Sequence, residues 1–256
     1  MSSSPLYVAS VGKAQAILAC FEDATDDLSL TDLVQLSGFD KSATQRYAYT
    51  LCELGLLEQH ASSRRYRLGK KVLDLAFHYL RTHAFVESLN PLLLELCEQT
   101  GERVSLSLLD GEHLIHVMRH QLKTQEYQAS LVGRRVPLFC TAGGRALLAA
   151  MTAAELSVRL STLVFKRFTA MTVADPVKLQ AELEKVRQQG YALVVDEFIH
   201  GEVALGGAIL DDEGSPYAAL HISGATREWS GPQYAERFVP YLLNALSRIP
   251  RPLRTV

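Results

Sequence analysis

The sequence predicts an α+β protein in two parts, a small helical head with a basic hairpin and a larger body built on an antiparallel sheet. Three observations carry this. Short helical patterns and a basic cluster fill the chain up to about residue 70. Beyond it come Val/Ile/Leu strands, Gly-marked turns and longer helices. A length of 256 residues suits one large or two modest domains.

The head reads element by element. Ser10 to about Asp23 is predicted helical, with Val11, Ala14, Ile17, Leu18 and Phe21 on one face. Ser29-Leu-Thr-Asp32 has the form of a capping box, with Asp in place of Glu, and opens a helix from Leu30 to Ser37 that Gly38 stops. Asp40 caps a third helix, Lys41 to Leu54, with Ala43, Tyr47, Leu51 and Leu54 expected inward and Gly55 at its end. From Leu56 to Leu68, the runs LLEQ and RYRL flank His60-Ala-Ser-Ser63 as a hairpin.

Helix, helix–short turn–helix and hairpin is the order of a winged helix-turn-helix. Between Lys41 and Lys71 lie seven basic residues against Glu53 and Glu58, a local charge of +5 on a chain whose net charge is −2. Such a patch suits a phosphate-contacting face. A three-helix unit with a solvated basic hairpin can equally be a protein-interaction module. On the third helix, Ser42, Gln45, Arg46 and Tyr49 are expected to face out. Gln pairs with adenine, and Arg with guanine or phosphate. Ser42 and Thr44 near the helix start can donate to a phosphate, as can the first backbone N–H groups. Arg64, Arg65 and Arg67 would straddle the backbone or enter a minor groove.

Gly69 to about His83 follows as a helix with Val72, Leu75, Ala76, Tyr79 and Leu80 apolar. A helix leaving a wing links domains or pairs with a second copy, and palindromic operators need two-fold proteins, so a homo-oligomer is expected. The expected domains are 1–68 for the winged helix-turn-helix head, 69–84 as linker helix and 85–256 for the sheet-bearing body.

In the body, a helix is predicted over Glu87–Gln99, strands over Val104–Leu109 and His113–Met118 around Asp110-Gly111, and a helical run over Arg145–Ala150. Thr152-Ala-Ala-Glu155 caps another helix, and Asp175-Pro176 starts one that Gly190 closes. Strands follow at Tyr191–Val195, Val203–Leu210 and Tyr217–Ser223, then a helix over Pro232–Ile249.

Cys140-Thr-Ala-Gly-Gly144 is the best ligand candidate. Its small residues admit a close approach, and the free N–H groups of the following helix attract a carboxylate. Gly143 and Gly144 could instead serve helix–sheet packing. A thiol enzyme using Cys140 competes, but no paired base stands at a recognisable spacing. His113, His116 and His120 lie on and just past a strand, where His113 and His116 point to opposite faces, and read as ordinary rather than metal ligands. Asp196, Glu197 and His200 form a polar loop. His221 and Ser223 share one strand face, which either lines a pocket or meets solvent. No cofactor is expected.

Cys20, Cys52, Cys97 and Cys140 lack CxxC spacing, which fits a reducing cytoplasm. No apolar run reaches the roughly 18 residues of a membrane helix. The start MSSSPLYVAS lacks the basic-then-apolar order of a signal peptide.

Four stretches together resemble the IclR family of bacterial transcriptional regulators: LSLTDLVQLSGFDKSATQRYAYTLCELGLLE, YRLGKKVLDLA, PLFCTAGGRALLA and GYALVVDEFIHGEVALGGAILDDEGSPYAALHISG. The resemblance covers nearly the whole chain. It implies a winged helix-turn-helix, a linker helix and a GAF/profilin-like effector domain. It also implies a dimer or tetramer whose binding to a double-stranded DNA operator is modulated by a small organic acid, and a regulator rather than an enzyme. The family's recognition segment falls on Lys41, Ser42, Ala43, Thr44, Gln45 and Arg46. Its ligand-contacting helix start falls on Thr141, Ala142, Gly143 and Gly144, and its last-strand pocket positions on His221 and Ser223. Members that bind acids such as glyoxylate carry an Asp and a Cys where this chain has Val194 and Ala204, and a Ser where it has His221. The departures imply a less polar cavity and a larger, aromatic acid. A GAF-like sensor acting through protein contacts is the other reading.

Overall fold

The computed structural model describes residues 4–22, 24–122 and 132–253, which fall into two compact units, Met1–Arg81 and Thr82–Val256. The expected end of the first helix at Asp23 lies outside the described residues. The α+β class and the antiparallel sheet are borne out.

In the first unit, α1 spans Ala9–Ala19, α2 Leu30–Ser37 and α3 Lys41–Glu53. Strands β1 (Leu57–Gln59) and β2 (Tyr66–Leu68) pair antiparallel. The capping box of α2 forms as expected: Asp32 N–H donates to Ser29 Oγ at 3.1 Å, and Ser29 N–H to Asp32 Oδ2 at 2.8 Å. Gly38 closes α2 at φ 70°, which suits a residue without a β-carbon. Asp40 caps α3 by accepting from Ala43 N–H at 2.8 Å. Ile17, Leu33, Ala48, Leu51, Leu57 and Tyr66 make the core.

The inward face of α3 differs from expectation. Thr44, Ala48 and Leu51 are buried; Ala43 and Tyr47 are half-buried, and Leu54 is exposed. Small residues at 44 and 48 let α3 press closely on its neighbours, while Tyr47 lies at the edge beside Phe39. Helix α4, Lys71–Thr82, buries none of its side chains.

The second unit opens with α5 (Ala84–Ser88) and α6 (Asn90–Thr100), not one helix. Pro91 lacks a donor for a continuing helix but fits a first turn, so the chain restarts there. Next come β3 (Arg103–Asp110), β4 (His113–His120), β5 (Arg135–Pro137), α7 (Ala142–Ala150), α8 (Ala153–Thr162) and α9 (Pro176–Gln189). Strands β6 (Ala192–Val195), β7 (Glu202–Leu210) and β8 (Pro216–Ala225) and helix α10 (Gly231–Arg248) complete the unit.

The six strands run in the order β5-β4-β3-β8-β7-β6, all antiparallel. Adjacent glycines on β7 show the two faces. A β-carbon on Gly206 would overlap the backbone of Ala142 and Gly143 in α7, and one on Gly207 would overlap Leu246 in α10. Helix α7 therefore covers one face and α10 the other. Helix α7 starts three residues before the expected Arg145, with Thr141 at its N-cap.

Candidate functional site

Two surfaces merit a functional reading, one in each unit. On the first unit, Lys41, Ser42, Gln45, Arg46 and Tyr49 are all exposed along one side of α3. Thr44 departs from expectation: it is fully buried, and its hydroxyl donates to the Asp40 carbonyl at 3.0 Å. It holds the helix start and cannot reach a phosphate from there.

The hairpin arginines also differ from expectation in their freedom. Arg64 is exposed at the tip with φ 57°. Arg65 donates from Nη1 to the Asp27 carbonyl at 2.7 Å and lies 3.6 Å from Asp32. Arg67 donates to Glu58 Oε2 at 2.9 and 3.1 Å. That arginine pulls the Glu58 carboxyl below its ordinary range. Exposed pairs of this kind are worth at most about 1 kcal/mol and can be given up to a competing anion.

The second surface is a cavity between the sheet and the start of α7, holding about 50 Å³ of free space, which limits its occupant to a small molecule. Strand alternation builds its floor. Arg103 and Ser105 of β3, Ala204 of β7, and His221 and Ser223 of β8 point to the α7 side, and Val194 joins them from β6. Thr141 and Ala142 close it from α7.

Gly143 and Gly144 do not line the cavity; their role is packing. A β-carbon on Gly143 would overlap the His221 ring, and one on Gly144 the backbone of Leu138. Thr141 donates its hydroxyl to the Pro137 carbonyl at 2.7 Å.

Sequence reasoning passed over much of the wall. A β-bulge at Val117 shifts the β3–β4 register, pairing Leu106 with Met118 but Ser107 with His116. Without it, His116 and Arg119 would face opposite sides of the sheet; with it, both line the cavity. The three histidines diverge as a result: His116 Nδ1 meets Ser107 Oγ at 2.8 Å, while His120 Nε2 meets Asn90 on α6 at 2.8 Å. Among the described residues no group of three His, Cys, Asp or Glu could hold a metal.

The cavity is also more polar than expected. Arg103, Arg119 and Arg134 line it, along with Glu197 and Glu202. Arg103 pairs with Glu202 at 2.9 Å, and Glu197 pairs with the buried Arg145 beneath at 2.6 Å. Burial, and then the charge of Arg103, push Arg119 below its ordinary value. Among the described residues four guanidinium groups stand against two carboxylates, an excess of positive charge.

The imidazoles are neutral. Burial lowers His221 to about 3 and His116 to about 4. His221 Nε2 is buried and has no hydrogen-bond partner among the described residues. Cys140 is buried and its thiol is pushed up to about 12, chiefly by burial.

The model for the IclR helix-turn-helix domain matches residues 10–61, and that for the bacterial transcriptional regulator IclR C-terminal region matches residues 77–251. The Pca regulon regulatory protein of Pseudomonas putida is 29% identical over 245 residues, covering 95% of this chain and 84% of that protein. The crystal structure of Thermotoga maritima IclR superposes with TM-score 0.69 at 27% identity, over 95% of this chain and 98% of the other. A double mutant of the PobR inducer-binding domain from Acinetobacter, in complex with 3-hydroxybenzoic acid, matches at TM-score 0.57 and 28% identity. That match covers 63% of this chain and 94% of the other. With a helix-turn-helix head and an effector-type body both matched, the chain belongs to the IclR family of bacterial transcriptional regulators.

Proposed function

We propose that this regulator binds a double-stranded operator through α3 and the hairpin tip, and that a small organic acid in the sheet cavity changes that binding. Residues 1–68 are assigned to DNA binding, 69–84 to the linker and 85–256 to the effector. Lys41, Ser42, Gln45, Arg46, Tyr49 and Arg64 form the DNA face, with Arg65 and Arg67 recruited from their exposed internal pairs. The effector meets Thr141, Ala142, Val194, Ala204, His221 and Ser223.

The single observation that carries the effector reading is the lining of the cavity, in which Arg103, Arg119 and Arg134 outnumber Glu197 and Glu202 among the described residues. That excess of guanidinium charge suits an acid. The complex of the PobR inducer-binding domain with 3-hydroxybenzoic acid supports an aromatic acid. A thiol enzyme is disfavoured because Cys140 is held protonated and the nearby imidazoles are too weakly basic to activate it.

The regulator works as a homo-oligomer in the cytoplasm. Leu73, Leu75, Phe77 and Tyr79 on α4 are all more than half exposed, an apolar surface suited to a second copy. No helix among the described residues is long and apolar enough to cross a membrane. A thermal-shift screen of aromatic acids and short aliphatic acids tests the effector reading. Stabilisation by aromatic acids is expected; stabilisation by glyoxylate or pyruvate alone would reject it.

A further inference from the structure

We propose that His83, Phe85 and Tyr217 form a clasp that fixes the direction in which the linker helix leaves the body, so that His83 and Tyr217 are positioning residues for the DNA-binding head. This rests on the operator reading of α3 and adds which side chains hold the linker in place for it.

A single residue makes the junction. Helix α4 ends at Thr82 and α5 starts at Ala84, so His83 alone stands between them. Its backbone, at φ −85° and ψ 82°, breaks the helical path. Its side chain takes the capping role that Ser or Asp usually fills: Nδ1 accepts from Val86 N–H at 3.4 Å. A neutral imidazole that accepts at Nδ1 carries its proton on Nε2. In that tautomer Nε2 donates to the Tyr217 hydroxyl oxygen at 3.1 Å. The buried Val86 anchors the capped helix in the body.

Tyr217 reaches His83 from a bulge in β8. The β7–β8 register pairs Ile209 with Ala218 but Leu210 with Pro216, which leaves Tyr217 as the extra residue. A bulge re-aims a side chain that regular pleating would send elsewhere. The Tyr217 ring also meets Phe85 edge to face, with centroids 5.4 Å apart and an interplanar angle of 86°. His83 and Phe85 thus grip one ring from a single turn of chain. All three side chains are half-buried, so core packing does not by itself demand the arrangement.

Two features give the clasp leverage. Helix α4 buries none of its side chains, so its direction is set at its ends rather than along its length. Strand β8, in turn, is held on both edges: from Ala218 to Ser223 it pairs with β3 on one side and β7 on the other. Ala219 lies against Gly143 of α7, and Ser223 lines the cavity. About 20 Å of strand separates Ser223 from Tyr217. A shift of β8 at the cavity therefore arrives at His83 as a clasp made or opened, a two-state element of the kind coupling needs.

Two substitutions in the full-length protein separate the clasp from folding. Tyr217→Phe keeps the ring and removes the hydroxyl. His83→Asn keeps a capping acceptor on a side chain too short to reach Tyr217. Thermal melts should stay within about 4 °C of wild type, and Tyr217→Phe carries the test if His83→Asn is not folded. Arg81 and Thr82 are exposed just ahead of His83, so trypsin cleavage between them reports on the joint. Both variants should be cut there about fivefold faster, as the loss of one hydrogen bond implies. Both should bind labelled genomic fragments roughly three- to tenfold more weakly, because a head free to swing must be ordered on binding. Adding 3-hydroxybenzoate should change DNA affinity in wild type and change it less in both variants, at equal acid affinity by calorimetry. Wild-type cleavage rates in both variants, or wild-type DNA affinity in both, overturn the clasp. An acid effect of wild-type size in both overturns the coupling through β8. Absence of DNA binding by wild type overturns the operator reading beneath, and absence of an acid effect in wild type counts against the effector reading. Cleavage after Arg81 judges the clasp in either case.

Discussion

Gly143 lies directly over the imidazole of His221: a β-carbon at 143 would overlap ring atoms Cε1 and Nε2 and crowd the Ala219 methyl. This close approach seats α7 on β8 and fixes one wall of the cavity. Gly143→Ala should therefore cost about 1–3 kcal/mol of stability, the usual penalty of overpacking. It should also abolish acid binding while the isolated DNA affinity is kept. Urea denaturation and a ligand titration check both, and wild-type values in each would show that α7 is not seated on β8.

Arg145 and Glu197 form the most buried ion pair among the described residues, at 2.6 Å. Arg145 also donates to the Phe139 carbonyl at 2.9 Å, and Glu197 accepts from Val173 N–H at 2.8 Å. The pair thus ties α7 to two separate loops. Removing one partner strands a buried charge, so Arg145→Ala should destabilise by about 3–5 kcal/mol. The double variant Arg145→Leu/Glu197→Leu should lose less. A single-variant loss below about 1 kcal/mol in chemical denaturation would contradict the pairing.

The neutral imidazoles make stability depend on pH. Burial holds His116 at about 4 and His221 at about 3, against an unfolded value of 6.5. Below pH 6.5 the unfolded chain takes up protons that the folded chain refuses. Stability contributed by the two groups is therefore complete above about pH 6.5 and falls with acid down to their folded values. Each contributes a slope of up to about 1.4 kcal/mol per pH unit. Urea midpoints from about pH 4 to pH 8 should fall less steeply in His116→Asn/His221→Gln than in wild type. Parallel profiles would mean that the imidazoles are solvated.

Thr44 separates support from contact on α3. Its hydroxyl is buried against the Asp40 carbonyl. Thr44→Val should lower the melting temperature by a few degrees, from a loss of about 1 kcal/mol, and leave DNA affinity per folded molecule unchanged. A loss of DNA affinity without a loss of stability would place the hydroxyl at the interface after all.

Much of the fold was legible because its punctuation is local. The Ser29–Asp32 box, Gly38, Asp40, the Thr152–Glu155 box and Asp175-Pro176 each mark a boundary with their own side chains. Where the deciding physics is non-local, sequence reading failed. Taking Tyr47 as an anchor rotated the expected face of α3, since aromatic size suggested burial where close helix packing selected Thr44 and Ala48. Residue alternation counted across β4 cannot register a bulge at Val117, so His116 reads as an ordinary strand residue and Arg119 gives no signal. Arg103, Glu197 and Glu202 come to the cavity from elements far apart in sequence. Gly143 and Gly144 were visible as a close approach, but what approaches is the protein's own sheet and loop.

The central claim is that the exposed face of α3 meets the phosphates and bases of duplex DNA. Fluorescence anisotropy of labelled genomic fragments, titrated across a series of salt concentrations, tests it most directly. Wild type should bind with an affinity that falls steeply and log-linearly with salt, and Arg46→Ala should bind more weakly with a slope reduced by about one. Acid binding should be equal in the two proteins. Absence of binding at low ionic strength, or an unchanged affinity and slope in Arg46→Ala, would contradict the account.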